Sequence, residues 1–318
     1  MSMQAVETSH HATSRVLRDP LPGTGYRTVR RLGAGASSEV YEAVGLDRSR
    51  RAVKVLRSLF VDTPEAVFRL EQEGRALGAL DHPNLVPVLD VGTTLAGRPF
   101  FAMPLLEGET VRERLRRSGP IAPAVACAMV ADALEGLDAA HRAGVVHRDV
   151  KPGNLFLPCR RPAIPGRRCV VLDFGIAKVL GAPGGLTTES RVLGTPRYLA
   201  PEQILGGQVD ARTDVYAAGL TLFEMITGRA PFDAEGPIEV MGAHLELAPH
   251  RLRALAGVSP ELDHAVARAL SRPPGRRWPS ARAFAAVLER AAVREVQRAP
   301  DKAAIAAELD LSFDLEMA

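Results

Sequence analysis

Cysteine, lysine and long apolar runs are what this chain has least of. Its 318 residues include only Cys127, Cys159 and Cys169. These form neither a C-x-x-C pair nor zinc-ligand spacing, which argues against a disulfide framework or a structural metal site and suits a reducing compartment. Lysine is confined to Lys54, Lys151, Lys178 and Lys302, so 36 of the 40 basic residues are arginine. Where a chain so biased keeps lysine, a compact ammonium is expected to matter. No stretch of about 18 apolar residues occurs, and the N-terminus has no apolar signal core, so no membrane segment is expected and a cytoplasmic location is. The net charge is only +3, with no long basic run or aromatic-interleaved basic stripe, which excludes nucleic acid as the main partner.

What is present fits an ordinary globular chain of one or two domains, 46% hydrophobic and able to bury a large core. Its most informative stretch is VVHRDVKPGN, residues 145–154. The apolar pair Val145 and Val146 suggests the end of a buried strand, after which Pro152 forbids a regular helix. Asp149, Lys151 and Asn154 therefore share a loop. An aspartate can steer the proton of an attacking hydroxyl, a lysine can stand as a point charge against a phosphoryl oxygen, and an asparagine oxygen can join the shell of Mg²⁺. By itself the stretch fits a salt-bridged surface loop equally well.

The segment VVLDFG adds Asp173, a carboxylate placed after an apolar run and before Gly175, where a strand end can turn and offer a second hard oxygen ligand to the same metal. Upstream, Lys54 stands among apolar neighbours in RRAVKVL and needs a partner if buried.

With HRDVKPGN and DFG in this order, the chain resembles eukaryotic-like, bacterial-type Ser/Thr protein kinases from about residue 26 to about 292. The resemblance implies an α+β, bilobal kinase fold with a small β-rich N-lobe (about 25–102), a hinge (103–107) and a larger α-helical C-lobe (108–292). Residues 1–24 are expected to be a flexible arm and 293–318 a tail. It implies ATP with Mg²⁺, or Mn²⁺ in its place, and protein Ser/Thr hydroxyls as substrates. Asp149 would orient the acceptor hydroxyl, while Asn154 and Asp173 would hold the metal. Lys54 would hold the phosphates and Glu73, on the helix-like run 64–80, would hold Lys54. Gly33, Gly35 and Val40 match the glycine-rich phosphate loop, whose third glycine is replaced by Ser38. Leu32, Val40, Ala52 and Phe156 would wall the adenine pocket, Met103 would guard its back, and Pro104 to Leu106 would form the hinge contacts.

The stretch 173–202 ends in GTPRYLAPE and corresponds to the activation segment. Thr195 would bond Asp149 and Lys151, while Arg148 and Lys178 would receive a phosphate on Thr187 or Thr188. Asp214, in an apolar helical run, needs donors, and the resemblance assigns them to the HRD turn; Arg277 is expected to pair with Glu202. The insertion carrying Arg160, Arg161, Arg167 and Arg168 is expected to be a solvated basic loop. Residues 309–317 alternate apolar and polar, the period of a half-buried strand that could join a sheet of its own small lobe, a partner or a second copy. Besides an active kinase, two readings stay open: a pseudokinase or scaffold, favoured by Ser38, and a small-molecule kinase of related fold.

Overall fold

The computed structural model describes residues 21–35, 38–57, 74–159, 168–174, 196–232 and 234–309. The small lobe is an antiparallel sheet of five strands in the order β1 (Tyr26–Ala34), β2 (Ser38–Gly45), β3 (Arg50–Leu56), β5 (Pro99–Pro104) and β4 (Asp90–Thr93). Side chains alternate across a strand, and β3 uses that period to sort two environments. Val53 and Val55 join Leu21, Ala43, Phe100 and Ala102 in a core on one face. Ala52 and Lys54 share the opposite face, where Ala52 meets Met103.

The larger lobe begins with a short sheet of β6 (Gly108–Thr110), β7 (Leu155–Pro158) and β8 (Val170–Val171), with helix α1 (Val111–Ser118) following β6. A reciprocal capping box between Thr110 and Glu113 starts α1, satisfying amides that would otherwise lack partners. Helices α2 (Pro123–Arg142) and α4 (Ala211–Thr227) are buried almost all round and form the centre of the lobe. Between them in sequence lies the short α3 (Pro201–Leu205). Further helices follow: α5 (Pro237–Glu246), α6 (Leu252–Ala256), α7 (Pro260–Ala269) and α8 (Ala281–Arg298), the last lying along α2. No described helix is long and apolar enough to cross a membrane.

Two contacts tie this scaffold to the cleft. Gly136 lets α2 approach so closely that a Cβ there would lie 2.8 Å from the Asn84 carbonyl oxygen. That carbonyl accepts from Val171 N at 2.8 Å, and the Asn84 side chain donates to the Cys169 carbonyl at 2.9 Å. The strand leading to Asp173 is thereby fixed against α2. Deeper in the lobe, Arg277 is only 2% exposed and donates bidentately to Glu202, with Nη1 to Oε1 at 2.7 Å and Nη2 to Oε2 at 2.8 Å. The same guanidinium also donates to the carbonyls of Ser271, Arg212 and Arg272, and the Thr213 hydroxyl donates to Glu202. This is the Glu202–Arg277 pair expected from sequence.

Several expectations need correction. Val145 and Val146 lie in no strand: after α2 ends, Val145 N donates to the Ala140 carbonyl at 3.0 Å and the chain enters an irregular loop. A two-residue apolar pair is too short to carry a period. Helix α8 continues through residue 292 to Arg298, and a further helix α9 spans Lys302–Leu309. The run 302–309 is alanine-rich, which favours helix, and Asp301 accepts from Ala304 N at its start. Leu309, expected to open a strand, instead closes α9 and is buried against the main core; the rest of the alternating segment, the N-terminal arm to residue 20, and Arg160, Arg161 and Arg167 lie outside the described residues. Arg168 does not project from a solvated loop but bonds Asp132 and the Leu309 carbonyl.

Removing one partner of a buried ion pair leaves the other charge uncompensated. Arg277→Ala is therefore expected to lower unfolding free energy by about 3–5 kcal/mol, measured by urea denaturation. A change within the range of an ordinary surface substitution would contradict this assignment.

Candidate active site

The site is built where three loops converge beneath β3. Asp214, near the start of α4, is fully buried and accepts from His147 N at 2.8 Å (Oδ2) and from Arg148 N at 2.8 Å (Oδ1). His141 Nε2 lies 2.7 Å from Oδ2. A buried carboxylate is costly unless paired and hydrogen-bonded, and here its need for donors dictates the path of the loop. That path puts Arg148 at φ 64°, a left-handed conformation that costs a non-glycine residue about 1–3 kcal/mol. The Gln203 amide donates to the Arg148 carbonyl at 3.0 Å and holds the turn from its other side.

The loop then delivers its polar tips to one place. Lys151 Nζ lies 2.6 Å from Asp149 Oδ2. Asn154, on a 3₁₀ turn spanning Pro152–Asn154, donates through Nδ2 to the Asp149 backbone carbonyl at 2.8 Å and to its Oδ2 at 3.1 Å. With its amide nitrogen so used, Asn154 keeps its side-chain oxygen as an acceptor.

Asp173 arrives from β8 with φ 45°. Lys54 Nζ, on the cleft face of β3, lies 3.2 Å from Asp173 Oδ1, an ion pair that joins the two lobes. Leu172 N donates to the Asn154 carbonyl at 2.8 Å, so the segments bearing Asn154 and Asp173 are hydrogen-bonded directly. His147 reinforces the join: Asp149 N donates to Nδ1 at 3.1 Å, while Nε2 lies 2.9 Å from the Leu172 carbonyl. One ring nitrogen accepts and the other faces an acceptor, which requires the neutral Nε2–H tautomer. Burial pushes the imidazole pKa down, against the opposing pull of Asp214, in agreement with that tautomer. Phe174 packs against the same ring, tilted by 43° with centroids 4.7 Å apart.

Above these groups, Val40, Ala52, Val86, Met103 and Leu106 belong to one apolar cluster with Val170 and Leu172 of the larger lobe. Phe156, on β7, is opposite Val170. Pro104 ends β5, Leu32 is exposed on β1, and Gly33 is opposite Val40 in the hairpin. Gly35 N donates to the carbonyl of Ser38, the first residue of β2. Glu73, Lys178, Thr187, Thr188 and Thr195 lie outside the described residues. Sequence reasoning missed His147, His141 and Gln203, whose partners are distant in the chain; the histidine beside Arg148 and Asp149 was the available signal.

The oxygens of Asp173 and Asn154 are hard donors suited to Mg²⁺, which is typically held by one or two protein oxygens with substrate phosphates and water.

A family model described as the protein kinase domain matches residues 26–285. The chain is 38% identical over 303 residues to serine/threonine-protein kinase Pkn1 of Myxococcus xanthus, covering 93% of this chain and 43% of that protein. It is 40% identical over 276 residues to PknB of Mycolicibacterium smegmatis, covering 85% of this chain and 43% of the relative. The chain thus spans less than half the length of these curated relatives. Among solved structures, the Mycobacterium tuberculosis PknI kinase domain superposes with TM-score 0.69 at 29% identity, covering 86% of this chain and 99% of that one. Rad53 1-466 in complex with AMP-PNP shares the fold, with TM-score 0.66 at 20% identity, over 82% of this chain and 64% of that one.

Two buried histidines set a pH dependence. His147 is held below its ordinary value of 6.5, and burial brings His244, bonded to the Tyr216 hydroxyl, down to about 4. Below pH 6.5 the unfolded chain binds protons that the folded chain refuses, so stability falls as pH drops from 6.5 towards 4 and is fully present above that window. Glu202, whose burial is outweighed by Arg277 so that its pKa is lowered from 4.5, loses its contribution only further down. The thermal unfolding midpoint is expected to decline through the upper part of the window; a flat midpoint there would contradict the neutral, buried state of both rings.

Proposed function

The chain belongs to the protein kinase domain family, and from that premise we propose that it transfers the terminal phosphoryl group of ATP to serine or threonine hydroxyls of protein substrates. The observation that carries the proposal is the junction of Asp149, Lys151, Asn154, Asp173 and Lys54 within one hydrogen-bonded cluster that spans both lobes. In this reading Asp149 orients the acceptor hydroxyl and takes its proton, and Lys151 keeps that carboxylate in place while adding positive charge near the transferred group. Lys54 positions phosphate oxygens from above, and Val40, Ala52, Met103, Leu106 and Phe156 exclude water around the base. Asn154 and Asp173 would hold Mg²⁺, which, when bound with ATP, supplies charge neutralisation at the phosphates. The intact donor set favours transfer over a scaffold reading. ATP and a reduced state of the cysteines both suit a cytoplasmic setting.

Regulation by the activation segment extends the proposal. Arg148 is pinned at its backbone, yet its Nε is buried without an acceptor, a cost that a phosphate oxygen would relieve. We assign Thr187 or Thr188 as the residue that accepts this phosphate from ATP and carries it to Arg148, with Lys178 assisting; Thr195 and Glu73 keep the roles the family resemblance implies.

Asp149→Asn is expected to retain ATP binding and lose about 10²–10³ in transfer rate or more, in a radiolabel assay with ATP and Mg²⁺; unchanged turnover would sink the mechanism. Lys54→Met should fall comparably. Mass spectrometry of the active protein should find phosphate on Thr187 or Thr188, and its absence from the whole segment 181–191 would remove the regulatory assignment.

A further inference from the structure

A cavity of about 360 Å³ opens beside the catalytic loop, on the large lobe. Its walls include Arg112 of α1, Arg116 of the same helix, Arg197 of the 3₁₀ turn Pro196–Tyr198, and Pro152, the residue after Lys151. Among the described residues Glu224 is its one carboxylate, and that group already accepts from the Tyr198 hydroxyl. Among the described residues none of the three arginines has an ion-pair partner. Arg112 lies directly against the loop that carries Asp149, since a Cβ on Gly153 would come within 3.3 Å of its Nε. The charges of Arg112 and Arg197 both reach the Tyr198 hydroxyl, where they oppose the upward push of burial on its pKa.

Three arginines around one cavity, with a single carboxylate that is already engaged among its described lining residues, leave it with an excess of positive charge. An anion entering there would meet charge of opposite sign from three directions. The planar fork of arginine matches carboxylate and phosphate oxygens, and the mounts are firm: α1 is fixed by its capping box, and the turn bearing Arg197 by the Tyr198–Glu224 bond. We infer that this cavity receives an anionic side chain of the protein substrate flanking the acceptor hydroxyl, so that the enzyme selects acidic sequences around its Ser or Thr. The inference rests on the kinase reading above and adds the class of substrate to it. Free solvent anions could also enter, but only a side chain on the same peptide gains from the cavity's position beside Asp149, because its binding also delivers the hydroxyl.

The test uses the full chain and three sets of acceptor peptides that differ at one flanking position at a time, carrying Glu, Ala or Arg. At one or more positions the Glu peptide is expected to exceed the Ala peptide in kcat/KM by about tenfold, the effect of one charge-assisted contact, with the Arg peptide below both. Replacing the flanking Glu by phosphoserine should preserve or increase the advantage. Arg197→Glu, at an exposed position, and separately Arg112→Glu should reduce or invert the order between the Glu and Arg peptides, which a loss of folding would not do. Equal kcat/KM across all peptides, or a preference for Arg in the unsubstituted enzyme, overturns the inference and leaves the kinase reading standing. Failure to phosphorylate any peptide or protein overturns the kinase reading and this inference with it.

Discussion

The buried carboxylate of Asp214 is the constraint on which the rest of the site depends. It has no solvent to satisfy it, so its hydrogen bonds must come from protein, and it takes them from the amides of His147 and Arg148 and from His141. Hydrogen bonds to a charged group contribute about 1.5–3 kcal/mol each, enough to hold Arg148 in a left-handed conformation that it would not otherwise adopt. The position of Asp149, one residue on, is thus set by a helix in the middle of the large lobe. Strain in the loop is offset by these hydrogen bonds and by the burial of α4 that holds Asp214 in place.

From that anchor the order passes outward through His147. Its neutral ring bridges the Asp149 amide and the Leu172 carbonyl, and Phe174 covers it, so the catalytic loop and the segment bearing Asp173 are tied to each other. Asn84 ties the same segment to α2, where Gly136 permits the close approach. The small lobe contributes through the face alternation of β3, which turns Lys54 towards Asp173 while Val53 and Val55 stay in the opposite core. The Lys54–Asp173 pair and the apolar cluster around Ala52 and Val170 thus join the two lobes.

Much of this is legible in the sequence because local rules carry it. The apolar spacing of 211–227 and 123–142 announces buried helices, period two in RRAVKVL separates Lys54 from its valine neighbours, and Asp214 in an apolar helix demands donors. The Arg277–Glu202 pair is legible only through family resemblance, since 75 positions separate the partners. What stays hidden is of two kinds. Short segments without a period mislead, as Val145 and Val146 do, and the alternation from Leu309 competes with alanine-rich helix propensity that wins at least as far as that residue. Convergent groups from remote positions are invisible for a different reason: Arg112, Pro152 and Arg197 meet only because α1, the catalytic loop and a 3₁₀ turn fold onto one another.

The central claim is that Asp214 fixes the backbone of the catalytic loop, and amide hydrogen exchange in Asp214→Asn tests it most directly. The substitution preserves shape but replaces one acceptor oxygen by an NH₂ that must face a donor. The predicted result is selective loss of protection at the amides of His147 and Arg148, with the amides of α4 still protected as in the native chain. Unchanged protection at both positions would contradict the account, because the loop would then be held by something other than this carboxylate.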